Sequence, residues 1–259
     1  PLTPLAADAS TRRYFRLQWR QATAVHPASC VIMRCAPWSA AHTPDFVAVA
    51  HHLRSYGVRV PDIYSVDPPA GLMCLEDYGD CALATQWQQS APAEQLRWGR
   101  HAVDELVIMH TRVTHAVDPA CPAFHLAFDI PKLVSELQFF REHALETLWG
   151  NVLREAERAE LDEAFALLCV PLAAAPRFFC HRDYHGWNIM AYRHQVGVLD
   201  FQDARLGPQP YDLVSLLLDR GTPEMLGQDI TTALVDYYRQ RWQAESGQTL
   251  DRTEVAELF

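Results

Sequence analysis

The stretch FFCHRDYHGWNIMAYRHQVGVLDFQD, residues 178–203, constrains this chain more than any other. Phe178, Phe179 and Cys180 run into one set of polar residues, and Val196, Val198 and Leu199 run into another. Short apolar runs bounded by turn formers read as buried strands, each delivering polar side chains where it ends. The loop between them holds His181, Asp183 and Asn188, with Gly186 as a turn former, and the second strand ends at Asp200. Any fold of this chain has to bury two short strands here and leave the polar loop between them open.

That set of side chains suits phosphoryl transfer. The reaction needs a carboxylate that orients an attacking hydroxyl and accepts its proton, and oxygen ligands that hold Mg²⁺ on the nucleotide phosphates. Asp183 meets the first need. The amide oxygen of Asn188 and the carboxylate of Asp200 meet the second, because Mg²⁺ prefers oxygen and usually takes only one or two carboxylates from a protein. A core edge with turn-forming Asp and Asn would explain any one of these residues. It does not explain His-x-Asp-x4-Asn followed by an apolar strand ending in Asp-Phe-x-Asp. His181 and His185 have the spacing of a helical zinc pair, but they lack the Glu of that pattern and lie on a loop.

HRDYHGWN at 181–188 and VLDFQD at 198–203 resemble the phosphotransfer and metal loops of the aminoglycoside phosphotransferase and choline kinase superfamily, relatives of the protein kinases. LAADASTRRYFRL at 5–17, CLEDYG at 74–79 and LDFQDARLGPQPYDLVSLLLD at 199–219 further resemble the bacterial anomeric kinases of N-acetylmuramate and N-acetylglucosamine used in cell-wall recycling. The resemblance covers most of residues 5–220. It implies a bilobal, protein-kinase-like α+β fold. Residues 1–78 form a small nucleotide-binding lobe with an antiparallel sheet, and residues 79–259 a larger, mainly helical lobe with the catalytic and metal loops. ATP and Mg²⁺ would lie between them, and the implied acceptor is the anomeric hydroxyl of an amino sugar. An aminoglycoside or choline-like alcohol as acceptor, and a nucleotide-binding module without catalysis, are the alternatives.

The same resemblance assigns further roles. Glu76, Asp77 and Tyr78 fall on the interlobe linker, where backbone groups face adenine, and Gly79 follows as a hinge. Arg34 falls where a third-strand cation reaches the α- and β-phosphates, and the helix that should supply its Glu partner offers only Asp45. No glycine precedes Gly57, and Ala7 stands where the family has a glycine ahead of Asp8, so bare backbone is not on offer to phosphate. Ser10, Thr11, Arg12 and Arg13 supply side-chain donors instead, or Arg12 and Arg13 form a solvated turn. Asp212 is expected beneath the catalytic loop as a brace, with His181 bracing the same loop. Asp203 either supports the metal ligands from behind or touches substrate. In the segment that varies with substrate, Glu136, Gln138 and Arg141 face either a sugar or solvent.

Local patterns complete the reading. Three strands are expected within residues 5–37, a helix over 44–56, strands at 60–67 and 71–79, and helices over 93–113, 131–149, 158–170, 222–243 and 251–259. Apolar residues make up 49% of the chain, enough for a sizeable core. A net charge of −10 argues against nonspecific nucleic-acid binding, which relies on clustered Lys and Arg; Lys132 is the only lysine. No segment reads as a membrane span or a secretory signal, and the seven cysteines form no CxxC pair, so a cytoplasmic, reducing setting is expected. No feature sets an oligomeric state. The chain begins without Met and ends in EVAELF inside a helical pattern, which reads as part of a longer protein.

Overall fold

A computed structural model of the protein describes residues 1–5, 12–19 and 27–251. Ser10 and Thr11, and all but the first residue of the helix expected over 251–259, lie outside these. The architecture is bilobal α+β. The small lobe is an antiparallel sheet of β1 (Leu2–Pro4), β2 (Arg13–Gln18), β3 (Ser29–Arg34), β4 (Ile63–Asp67) and β5 (Leu72–Glu76), in the order β1-β2-β3-β5-β4. β5 shows why the sheet folds: Met73 and Leu75 are buried while Leu72, Cys74 and Glu76 are only half-buried, the period of a strand with one face on a core.

Helix α1 (Asp45–Ser55) buries Phe46, Val47, Val49, Ala50 and Leu53 in the same core. It ends where Gly57 takes φ +93°, so that Gly57 N–H reaches the Arg54 carbonyl (3.0 Å) and Val58 N–H the Leu53 carbonyl (3.1 Å). That left-handed residue closes the last turn and satisfies two carbonyls that would otherwise be orphaned.

The large lobe is mainly helical. After the short α2 (Leu83–Gln88), α3 (Pro92–Ile108) starts with Pro at its first position and buries Trp98, Ala102, Val103, Leu106 and Val107. The expected 93–113 helix continues past Ile108 as a wider turn over Met109–Val113. α4 (Ile130–Phe140) and α5 (Glu155–Ala174) form a hairpin. The segment expected as one helix over 131–149 instead widens after Phe140 into π-type turns over Arg141–Leu148. None of α4 is buried, and Phe139, Leu148 and Trp149 are exposed. The long α7 (Thr222–Ser246), kinked at Gly227, packs along α3.

Two ribbons position the polar loops. β6 (Arg177–Cys180) pairs with β9 (Arg205–Pro208), and β7 (Ile189–Tyr192) pairs with β8 (Gln195–Val198). Cys180 lies opposite Arg205, and Ile189 lies opposite Val198. Residues 181–188 therefore cross from the first ribbon to the second, and residues 199–204 cross back over the same gap. Register alone lays the two loops side by side. α6 (Tyr211–Leu218) follows β9 and runs beneath them.

Candidate active site

The loop 181–188 is held from below by a buried acid. Asp212, in the first turn of α6, is fully buried. One of its oxygens accepts the His181 N–H (2.6 Å) and the other the Arg182 N–H (3.0 Å). Arg182 sits at φ +87°, a backbone that non-glycine residues rarely adopt, and those two bonds hold it there. Burial pushes the Asp212 carboxyl up to about 7, against the pull of the two N–H donors.

His181 ties this loop to the second one. Its Nε2 bonds the Leu199 carbonyl (2.7 Å), and Asp183 N–H donates to its Nδ1 (3.3 Å). Only the neutral tautomer with a proton on Nε2 makes both bonds, and burial lowers the imidazole to about 4, which keeps it neutral. Both ring nitrogens are used inside the protein, so His181 and His185 form no zinc pair. Leu199 N–H returns a bond to the Asn188 carbonyl (2.8 Å). Asn188 Nδ2 donates to the Asp183 carbonyl (3.0 Å), leaving Asn188 Oδ1 for a ligand. Asp200 stands at φ +62°, which Asp tolerates better than most residues, and its Oδ1 accepts from Gln202 Nε2 (2.7 Å). Asp203 is exposed and shares the same Gln202 amide at 3.5 Å.

Asp183, His185, Trp187, Asn188, Asp200, Arg220 and Gly221 line one cavity of about 820 Å³. Burial raises the Asp183 carboxyl above the ordinary range, Arg182 opposes this, and the nearby Asp200 charge reinforces it. A second cavity of about 350 Å³ lies between the lobes. Its walls include Tyr14, Arg16 and Val31 from the sheet, Glu76 to Gly79 from the linker, and Met190 and Leu199 from the helical lobe. Trp187, Asn188 and Asp200 line both cavities, so the two spaces meet at the metal-ligand candidates. One carboxylate and one amide oxygen, on loops bonded to each other, are a donor set that fits Mg²⁺. Among the described residues no group of three or more His, Cys, Asp or Glu side chains is placed to hold a metal ion.

The chain matches the phosphotransferase enzyme family over residues 1–258. It belongs to that family. It is 32% identical over 223 residues to the N-acetylmuramate/N-acetylglucosamine kinase of Neisseria meningitidis serogroup B, a match covering 84% of this chain and 61% of that protein. Against the Pseudomonas aeruginosa protein of the same name the identity is 34% over 218 residues, covering 84% and 60%. The chain thus spans about three fifths of the length of these curated relatives. An aminoglycoside-3'-phosphotransferase of type VIII superposes with a TM-score of 0.58 at 17% identity, covering 98% of this chain and 90% of that one. Choline kinase from Cryptosporidium parvum gives 0.62 at 11%, covering 100% and 77%. At those identities the two structures attest the fold.

The linker of this phosphotransferase-family chain is braced by a residue that the sequence reading passed over. Arg16 of β2 donates to both oxygens of the nearly buried Asp77 (2.7 and 3.0 Å) and to the exposed Asp80 (2.7 Å). Burial alone would raise Asp77, but Arg16, the Ser29 hydroxyl and the Gly79 N–H together hold its carboxyl below the ordinary value. The Glu76 N–H donates to the Asp62 carbonyl (2.8 Å) and its carboxylate accepts the Asp62 N–H (3.3 Å). Tyr78 is buried with its ring over Gly197, where an added Cβ would lie 2.2 Å from Cε2.

Arg34 is not brought to the cleft. It is exposed and lines a separate cavity with Arg13, Cys35 and Ala36. Val31, which lines the interlobe cavity, and the buried Met33 alternate on one face of β3, and period two sends Arg34 to the other. Arg12 lines a third space beside Cys35 and Asp45, outside the two cavities that meet at Asp200. Of the candidates on α4 and the turns after it, Glu136 accepts from Arg182 (3.3 Å) and pairs with Lys132 (2.9 Å), while Arg141 pairs with Asp162. His185, Trp187 and Arg220 join the larger cavity without having been singled out as site residues. Their only signal was proximity to the motif or to a helix end.

Proposed function

We propose that the protein is an ATP-dependent kinase that phosphorylates the anomeric hydroxyl of N-acetylmuramate and N-acetylglucosamine. The observation that carries this is the single cavity bearing Asp183, Asn188 and Asp200, open to a second cavity bounded by the interlobe linker. The names of the curated relatives supply the acceptor class. In this reading the adenine lies against the linker backbone from Glu76 to Gly79. Asn188 Oδ1 and Asp200 would hold Mg²⁺, which supplies charge neutralisation on the nucleotide phosphates. Asp183 orients the anomeric hydroxyl and takes its proton as the γ-phosphoryl group moves to that oxygen. Its raised pKa makes it a better base than an exposed Asp, and the loop that carries it holds it in place against the hydroxyl. The lobe boundary falls at Gly79, whose φ of +80° turns the chain out of β5. The seven free cysteines suit the reducing cytoplasm where ATP is available. Among the described residues no helix is long and apolar enough to cross a membrane.

The test is an acceptor panel of N-acetylmuramate, N-acetylglucosamine and kanamycin with ATP and Mg²⁺, read by ADP release and product analysis. Phosphate esters at the anomeric carbon of the two N-acetyl sugars are expected. Phosphorylation of kanamycin alone would reassign the acceptor, and tight ATP binding without transfer to any of the three would leave a nucleotide-binding module.

A further inference from the structure

The cavity beside Asp183 has one wall that supplies none of the reacting groups. It is formed by Arg220 and Gly221, the turn between α6 and α7. This turn is rigidly referenced to the catalytic loop. Asp212 at the start of α6 binds the backbone of residues 181 and 182, and the helix ends at Leu218, two residues before Arg220. Gly221 at φ +80° and Pro223 in the first turn of α7 then fix the exit. The backbone at Arg220 therefore keeps its position relative to the catalytic loop.

Arg220 is exposed, and its charge is unanswered among the described residues. Several other arginines of the helical lobe meet acids, as Arg182 meets Glu136, Arg141 meets Asp162 and Arg241 meets Asp104, while Arg100 and Arg193 lie over aromatic rings. Arg220 makes no such ion pair, although it lines a space whose other formal charges are the acids Asp183 and Asp200. A cation lining the same cavity as Asp183 is placed to read an acceptor bound there. Trp187, 47% exposed, lines the same space and offers a flat apolar face on which a sugar ring can lie.

We propose that Arg220 recognises a carboxylate on the acceptor, so that the site favours an acidic amino sugar over its neutral counterpart. The inference rests on the acceptor reading above and deepens it. N-acetylmuramate and N-acetylglucosamine share the anomeric hydroxyl and the N-acetyl group; they differ by a lactyl ether that carries one carboxylate. A guanidinium matches that carboxylate with two parallel N–H donors, and a lysine in its place offers only a point charge.

The experiment measures kcat/KM for both sugars in the wild type, Arg220→Ala and Arg220→Lys. In Arg220→Ala the ratio of N-acetylmuramate to N-acetylglucosamine should fall roughly 10- to 100-fold, the range for losing a charged hydrogen-bonded contact, and mainly through KM. Arg220→Lys should recover part of the ratio. Because Arg220 is exposed, thermal unfolding of both variants should match the wild type, which keeps a folding defect from imitating the result. A ratio unchanged within about twofold, including a uniform fall for both sugars, overturns the inference and leaves the kinase reading standing. A wild type that phosphorylates neither sugar overturns the acceptor reading and this inference together.

Discussion

At the catalytic end of the cleft a fully buried carboxylate, Asp212, holds two backbone N–H groups and a left-handed Arg182, whereas at the linker end Arg16 holds Asp77 and the 77% exposed Asp80 through an ion network. The first arrangement is dry. Salt has little access to it, and its strength depends on protonation. The second reaches solvent, so ions screen its outer arm and that arm contributes little. The contrast suits two tasks. In the proposed kinase a base and two metal ligands would have to be held to a fraction of an ångström, while the linker would have to let two lobes move about the nucleotide.

The sharpest probe of the catalytic end is Asp183→Asn. It keeps the side-chain shape and removes the proton acceptor, so kcat should fall by roughly 10²- to 10⁴-fold while ATP affinity stays within about threefold. Steady-state turnover beside calorimetric binding reads both, and normal turnover would defeat the assigned role.

Asp212→Ala should come next. Two buried N–H groups lose their acceptor, and urea unfolding should show a loss of about 2–5 kcal/mol, little altered by salt. The pH dependence has two opposed parts. Neutral His181, lowered to about 4, contributes stability that is fully present above the unfolded value near 6.5 and is lost as pH falls toward 4. Asp212, raised to about 7, favours the folded state below the unfolded value near 4, and that contribution is lost as pH rises toward 7. The two oppose each other between about pH 6.5 and 4, so Asp212→Asn should steepen the loss of stability on acidification. An unchanged slope would show that Asp212 does not titrate in the fold.

At the linker end, Gly197→Ala puts a methyl group where the Tyr78 ring lies, and overpacking of this kind costs about 1–3 kcal/mol. Thermal unfolding should register it, and the KM for ATP should rise because Tyr78 belongs to the linker. The smallest effect is expected for Asp80→Ala, which removes only the exposed arm of the Arg16 network. Its cost should be at most about 1 kcal/mol at low salt and should vanish in about 1 M NaCl. A large, salt-resistant loss would erase the contrast between the two ends.

The same contrast governs what could be read from the amino acids. The spacing around His181, Asp183, Asn188 and Asp200 was legible because short apolar strands on either side leave few ways to place the loops, and the ribbon register then lays them together. The lobes were legible from the change between strand and helix periods. Arg34 was not, because positions 30–33, CVIM, are all apolar and give no alternation from which to learn the phase of β3. Arg16 was missed because its partner Asp77 lies 61 residues away. The widened turns after Phe140 and Ile108 keep near-helical spacing, so periodicity does not separate them from α-helix.

The central claim is that Asp200 and Asn188 present one magnesium site beside Asp183, and the direct measurement is ATP binding by calorimetry with and without Mg²⁺. The account predicts that Mg²⁺ tightens ATP binding in the wild type and fails to do so in Asp200→Ala, while ATP without metal binds both alike. Equal tightening by Mg²⁺ in the two proteins would contradict it.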